Sequence, residues 1–337
     1  MRVGRLTPRQ VDVLLELLVL GAVATGLTSW AIGTQWSKVA TVLHAVCGLT
    51  VLVLAGAKLR GSVRSGMQRR RPSRWLSVAF GTLVIATISV GVLHATGLWF
   101  GVGYWSALWT HELLAFVLLA PFIWHVLSRP VRPKVTDLDR RALLRGSAAL
   151  TVGAAAYGAQ EAAVRIAGLA GGSRRFTGSH EIGSFDPLRM PTVSWINDEA
   201  PASTDASTWA LDVLGDTVDV GALARRTRPV TATLDCTGGW WSTQAWDAVP
   251  VHELIGDRSA RSIKVTSTTG YSRLFPFSAV DDLYLAVGYG GEPLRRSHGA
   301  PVRLIAPGRR GPWWIKWVTS IQLDDRPSWL QTPFPFE

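Results

Sequence analysis

Four apolar runs of about twenty residues crowd the first part of the chain, approximately Val11–Gly33, Val39–Ala57, Leu76–Gly97 and Ala107–Leu127. A helix of about 20 residues spans the hydrocarbon core of a bilayer. Lipid leaves no partner for an unpaired backbone N–H or C=O, so runs of this length restrict the fold to membrane helices. Basic residues set the orientation. Arg2, Arg5 and Arg9 precede the first run; Lys58, Arg60, Arg64, Arg69, Arg70, Arg71 and Arg74 separate the second from the third. Arg129, Arg132, Lys134, Arg140, Arg141 and Arg145 follow the fourth, whereas the two opposite loops carry only Lys38. Positive-inside bias predicts a four-helix bundle with both ends in the cytoplasm. The formal charge of +11 falls largely on these flanks and no arginines alternate with aromatics along a face, so nucleic acid is not an expected partner.

The next stretch, "DLDRRALLRGSAALTVGAAAYGAQ", sets Arg140, Arg141, Leu143, Leu144 and Arg145 before a weakly hydrophobic Ala/Gly run. It looks like a twin-arginine export signal inside the chain and predicts a fifth crossing. The other reading is a cytoplasmic amphipathic linker, because the run is short and Glu161 and Arg165 follow it. With the crossing, residues 1–130 form a membrane domain and 131–175 a basic linker with the fifth span. Residues 176–337 then form an extracytoplasmic domain of a multi-pass cytoplasmic (inner) membrane protein.

Ionisable side chains inside a span require a reason. His44, His94 and His111 all fall near the outer ends of their runs, at similar depth. Two imidazoles facing each other across a bundle can supply both axial ligands of a b-type haem. The pair expected here is His44 with His111, or with His94. His125 lies fourteen residues past His111, about 21 Å along the same helix. Its counterpart fourteen residues past His44 is Lys58, a protonated amine that cannot ligate iron. One haem is therefore expected, with His125 a structural or quinone-site residue. "VLHAVCGLTVLVLAGAKLR" and "WTHELLAFVLLAPFIWHVL" are similar to bacterial cytochrome b membrane subunits, and Cys47 reads as a small buried hydrophobe.

From Thr208 the pattern changes to short β-prone runs, Trp209–Val213, Val230–Leu234, Ser262–Ser267, Val302–Ile305 and Trp314–Gln322, with a helical piece at Val251–Ile255. This predicts an α+β domain rich in β structure. Cys236 is its one cysteine. An unpaired thiol in an oxidising compartment is a liability unless it is buried, reactive or bound to metal.

"LDCTGGWW", "TSTTGY", "LRRSHGAPVRLIAPGRRG" and "PWWIKWV" together resemble the molybdopterin-binding domain of the sulfite oxidase family, over roughly Ser194 to Gln322. The resemblance implies that Cys236 ligates molybdenum and that His298 and Arg303 hold the pterin and its phosphate. It also implies that Trp314, Ile315 and Lys316 close over the pterin, that Asn197 lies near the cofactor, and that Thr266 or Thr268, before Tyr271, makes an oxygen contact. Arg295, Arg309 and Arg310 read as surface charge.

The sequence departs from sulfite-oxidising members where a dianion would bind. Trp240 and Trp241 stand where two arginines are expected, Ile196 stands for a third, and Val287 replaces a tyrosine, for which Tyr289 is out of register. The pocket should be aromatic and neutral, suited to an uncharged or apolar-sided substrate, a sulfoxide or another oxo-acceptor, or an oxidised protein. The combined expectation is a multi-domain protein. Its all-α membrane bundle would pass electrons through haem b between quinone and an exported molybdenum site. The rival is a non-catalytic haem anchor whose exported domain binds a partner.

Overall fold

The structure, a computed structural model, describes residues 6–68, 74–103, 105–128, 130–131, 134, 140–193, 200–332 and 334. It divides into two compact units, Met1–Trp30 with Gln35–His180, and Ala31–Thr34 with Glu181–Glu337.

The first unit is helical. It contains α1 (Pro8–Ala31), α2 (Ser37–Gln68), α3 (Arg74–Thr96), α4 (Ala107–Ser128) and α5 (Arg140–Ile166), with a hairpin of β1 (Gly101–Val102) and β2 (Trp105–Ser106) before α4. Four segments are long and apolar enough to cross a membrane: Pro8–Ala31, Ser37–Gly56, Val78–Thr96 and Ala107–Ser128. Their buried apolar core is small, centred on Leu18, Val51 and Val84. Leu17, Leu20, Leu43, Ile85, Phe116 and Val117 are exposed instead. Apolar surface on this scale is unusual for a helix bundle in water and is compatible with lipid. α2 continues through Lys58 to Gln68, so part of the basic stretch expected as a loop is helix. Lys58 pairs with Asp12 of α1 at 2.5 Å. Cys47 is half-buried rather than buried, packing toward Gly21.

α5 has 27 residues, long enough for a crossing at about 1.5 Å each. It is not among the four strongly apolar helices, because Ala and Gly contribute little hydrophobicity. Small residues give it close packing on α2: a side chain at Gly153 would come within 2.9 Å of the Val46 carbonyl and collide with Thr50.

The second unit is sheet-rich. After β3 (His180–Glu181) come β4 (Leu211–Val213), β5 (Asp216–Val218), α6 (Val220–Ala224), β6 (Arg228–Asp235), β7 (Trp240–Pro250) and α7 (His252–Ile255). Then follow β8 (Ser262–Ser267), β9 (Ser272–Pro276), β10 (Tyr284–Tyr289), β11 (Glu292–Pro293), β12 (Arg303–Ile305) and β13 (Val318–Asp324). β7 pairs antiparallel with β6 on one side and β10 on the other, and β10 also pairs with β11 and β12. A second sheet runs β5-β4-β13-β8-β9, antiparallel except between β4 and β13.

The longest strand, β7, was not expected from sequence. Its serine, threonine, glutamine and aspartate disguise a strict alternation in which Trp240, Ser242, Gln244, Trp246 and Ala248 are buried. β9 and β10 were missed as well. The strand expected at Trp314–Gln322 starts only at Val318, because a 3-10 turn occupies Gly311–Trp313 and Trp317 has φ +52°. A buried apolar core that includes Leu211, Trp246, Ile263, Val265, Phe275, Leu285 and Val302 fixes the sheets.

Candidate functional site

Cys236 begins the tight connection from β6 to β7. Its backbone N–H donates to the Trp240 carbonyl at 2.8 Å, and Gly239 N–H donates back to the Cys236 carbonyl at 3.2 Å. Gly239 sits at φ +87°, a conformation that other side chains resist. The thiol accepts from Gly238 N–H at 3.3 Å. A side chain begun at Gly238 or Gly311 would lie 3.6 or 3.7 Å from Sγ, so bare backbone flanks the sulfur on two sides. Burial pushes the thiol up to about 11, against the opposing pull of Gly238 N–H, Arg310 and Lys316. At neutral pH the side chain is therefore a protonated, unreactive thiol. A metal that displaces the proton turns it into a soft thiolate ligand.

Arg310, expected as surface charge, is a correction. It is 2% exposed, because Asp235 beside the thiol pairs with it at 2.8 Å and the Cys236 carbonyl accepts from its Nη2 at 3.3 Å. Arg309 is also not a free surface charge: it is half-buried and stacks over Trp313, 4.8 Å from the ring centroid. Arg295 is exposed, as expected.

His298 and Arg303 meet on the next layer. Tyr289 Oη and His298 Nδ1 are hydrogen-bonded at 2.7 Å, and His298 Nε2 lies 3.2 Å from the Met190 carbonyl. Tyr289 thus positions the imidazole. Burial, then the positive charges of Arg303 and Lys316, pull His298 down to about 4, so it is neutral at pH 7. Arg303 donates to the His298 and Trp314 carbonyls at 2.9 and 3.3 Å and sits 5.2 Å from the ring centroid of Trp246. Its Nε has no hydrogen-bond partner, although burial lowers its pKa only to about 10 and it stays charged. A side chain at Gly299 would fall 3.0 Å from Lys316 Cβ and 3.1 Å from Arg303 Cβ, so this glycine leaves a cradle between the two cations.

Lys316 Nζ donates to the Val193 carbonyl at 2.7 Å, Ile315 accepts from Leu304 N–H at 2.7 Å, and Trp314 packs on Trp246 at 5.7 Å. Tyr271 Oη donates to the Pro312 carbonyl at 2.7 Å and Thr268 N–H to the Trp317 carbonyl at 2.9 Å. Both brace the segment that carries Lys316. The Thr268 side chain is exposed, and Thr266 is half-buried on β8. Asn197 and Ile196 lie outside the described residues. Trp240 and Trp241 are consecutive on β7 and face opposite ways, Trp240 buried and Trp241 half-buried, so only one of the two tryptophans lies on the thiol side. Sequence reasoning missed Trp246, Asp235 and Met190. The alternation of β7 was the one signal that could have found Trp246.

The helical unit holds a second constellation. His44 Nδ1 is 2.8 Å from the Ala22 carbonyl of α1, and His111 Nδ1 is 2.8 Å from the Thr87 carbonyl of α3. A carbonyl only accepts, so each Nδ1 carries the proton and each Nε2 keeps its lone pair. Each ring rests over a glycine one turn further along, Gly26 or Gly91, where a side chain would come within 3.1 or 3.0 Å. The two rings face each other at 5.7 Å and 89°. His94 pairs elsewhere: His180 Nε2 bonds its carbonyl at 2.8 Å and the rings meet at 5.0 Å. His125 stacks on Phe80.

Among the described residues no three His, Cys, Asp or Glu side chains converge to hold a metal ion. The thiol offers one donor and the histidine pair two.

Residues 198–331 match the family described as oxidoreductase molybdopterin binding domain. A stretch of 56 residues is 41% identical to mitochondrial sulfite oxidase of Drosophila melanogaster, covering 16% of this chain and 10% of that enzyme. The sulfane dehydrogenase SoxCD of Paracoccus pantotrophus is similar at 22% identity and a TM-score of 0.35, over 42% of this chain and 46% of that one. The chain thus spans less than half the length of either relative. The residues present fit a pterin-held metal on three grounds: a buried thiol, a glycine cradle between two cations, and an arginine Nε with no partner among the described residues. Residues 198–331 therefore match a molybdopterin-binding oxidoreductase domain, and a short stretch of the chain is similar to a sulfite oxidase.

Proposed function

We propose that this chain is a membrane-bound molybdenum-cofactor oxidoreductase that exchanges electrons with quinone through one b-type haem. The observation that carries the reading is the Cys236 turn, a protonated buried thiol set against bare glycine backbone inside the matched domain. Cys236 would ligate the metal. Arg303, with its unsatisfied Nε, would hold the pterin phosphate; His298, Trp314, Ile315 and Lys316 would enclose the pterin. The bound group supplies two-electron oxygen-atom chemistry. The protein's part is to hold it: burial and the charges of Arg303 and Lys316 keep His298 neutral, Tyr289 and Met190 fix its ring, and the Asp235–Arg310 pair anchors the turn.

His44 and His111 would be the axial ligands of the haem, which supplies one-electron transfer. Their fixed Nδ1–H tautomers support this pairing over one with His94. The arginine flanks support placing the C-terminal domain outside the cytoplasmic membrane, with α5 as the fifth crossing after the twin-arginine-like Arg140 and Arg141.

The substrate would be a neutral sulfoxide-type molecule rather than sulfite, since tryptophan occupies the positions where cations would grip a dianion. A balanced exchange is sulfoxide plus quinol against thioether, quinone and water. Two electrons and two protons move from quinol, and the S–O bond breaks as the O–H bonds of water form.

Metal analysis and a reduced-minus-oxidised spectrum of the purified full chain test the proposal. One molybdenum and one haem per chain are expected. Cys236→Ser should lower molybdenum more than about tenfold and leave the haem bands intact. Fully assembled chain without molybdenum would refute the enzyme assignment.

A further inference from the structure

Trp240, beside Cys236, is 6% exposed, and its indole Nε1–H is buried with no hydrogen-bond partner among the described residues. A buried donor left without a hydrogen bond is costly, so it points to a partner outside the protein. The position of this one is telling. A side chain built at Gly238 would begin 3.5 Å from Trp240 Nε1, 3.5 Å from Val193 Cγ2 and 3.6 Å from Cys236 Sγ. Glycine at 238 therefore keeps open the point that the indole N–H and the thiol share.

We propose that Trp240 is the substrate-positioning donor of this site, its Nε1–H hydrogen-bonding the oxygen of a neutral sulfoxide-type substrate. The inference rests on the molybdenum reading above. An indole N–H is a neutral donor that cannot accept, so it selects a polarised oxygen without attracting a dianion. Of the cations nearby, Arg303 is the one assigned to the pterin phosphate, and two others are engaged within the protein. Arg310 is paired with Asp235, and Lys316 donates to the Val193 carbonyl. Trp241 differs, facing the other side of β7.

The test uses the molybdenum-loaded full chain in detergent, titrated calorimetrically with dimethyl sulfoxide, with sulfite as the charged counter-probe. Trp240→Phe keeps most of the ring and removes the N–H. It should weaken dimethyl sulfoxide binding about tenfold at unchanged molybdenum content. Trp241→Phe should change it less than about twofold, and sulfite should bind weakly to all three proteins. Should Trp240→Phe misfold, benzothienylalanine at position 240 puts sulfur where the N–H stands and should give the same loss.

Equal affinity for dimethyl sulfoxide with and without the N–H would overturn the inference, and so would a wild-type protein that binds sulfite more tightly. Loss of molybdenum in Trp240→Phe would also overturn it, placing the N–H on the pterin. A changed Mo(V) resonance at unaltered affinity would do the same, placing it on the thiolate. Absence of molybdenum from the wild type shows in the metal analysis before any titration. It would remove the underlying reading and this inference together.

Discussion

The helical and sheet-rich units solve opposite solvent problems with the same amino acids. In the first, leucines, valines and phenylalanines point outward around a core of little more than Leu18, Val51 and Val84. In the second, the large apolar side chains are inside, with Trp246, Ile263, Phe275 and Leu285 excluded from solvent. The candidate donor atoms follow the same division. The helical unit offers neutral imidazoles with their protons parked on helix carbonyls, which cost little to bury because they carry no charge. The sheet unit offers a thiol that burial keeps protonated and buffers its charges in pairs, such as Asp235 with Arg310. Each unit thus ties up its donor group differently, one by hydrogen-bonding Nδ1–H to a helix carbonyl and the other by burying a thiol whose pKa is raised.

The sharpest way to break this comparison is to remove donors one unit at a time. His44→Ala or His111→Ala should each abolish the haem absorption while retaining molybdenum. His94→Ala should keep both, since its ring meets His180. Optical spectra beside metal analysis decide this, and a haem signal lost only in His94→Ala would reverse the pairing.

Next in size is a charge pair. Arg310→Met leaves Asp235 buried without its partner and should cost about 3–5 kcal/mol, a fall of on the order of 10 °C in the melting of the sheet unit. The exposed Arg326–Asp324 pair, also at 2.8 Å, should contribute less than about 1 kcal/mol when Arg326→Ala is melted alongside.

A smaller effect separates the units by pH. His298, held at about 4 in the folded protein, takes its proton later than the unfolded chain does as pH falls. The sheet unit should therefore lose stability from about pH 6.5 down to 4, by about 2–3 kcal/mol, with no contribution from His298 above that window. Denaturant unfolding across this range should show the slope in the wild type and a flatter one in His298→Gln.

Much was legible beforehand where chemistry is local. The four spans stood out because hydrophobic length is a property of the chain itself, and they reappear within a few residues as helices. The cysteine turn stood out because Gly-Gly marks a tight connection wherever it occurs, and Gly239 does take the left-handed conformation. β7 stayed hidden because its buried face carries serine and glutamine, whose partners at the Gly183 carbonyl come from sixty positions earlier in the chain. Arg310 was misjudged for the same reason, since its carboxylate lies 75 residues away.

The sequence by itself determined which part of the chain is apolar enough for lipid and which residues are chemically able to bind a metal, because hydrophobic length and donor type need no neighbours. Only the tertiary structure decided which histidine faces which, which nitrogen carries the proton, which arginine is buried, and which tryptophan lies beside the thiol. Those outcomes depend on long-range packing, where a donor's protonation and pairing are set by groups far away in the chain.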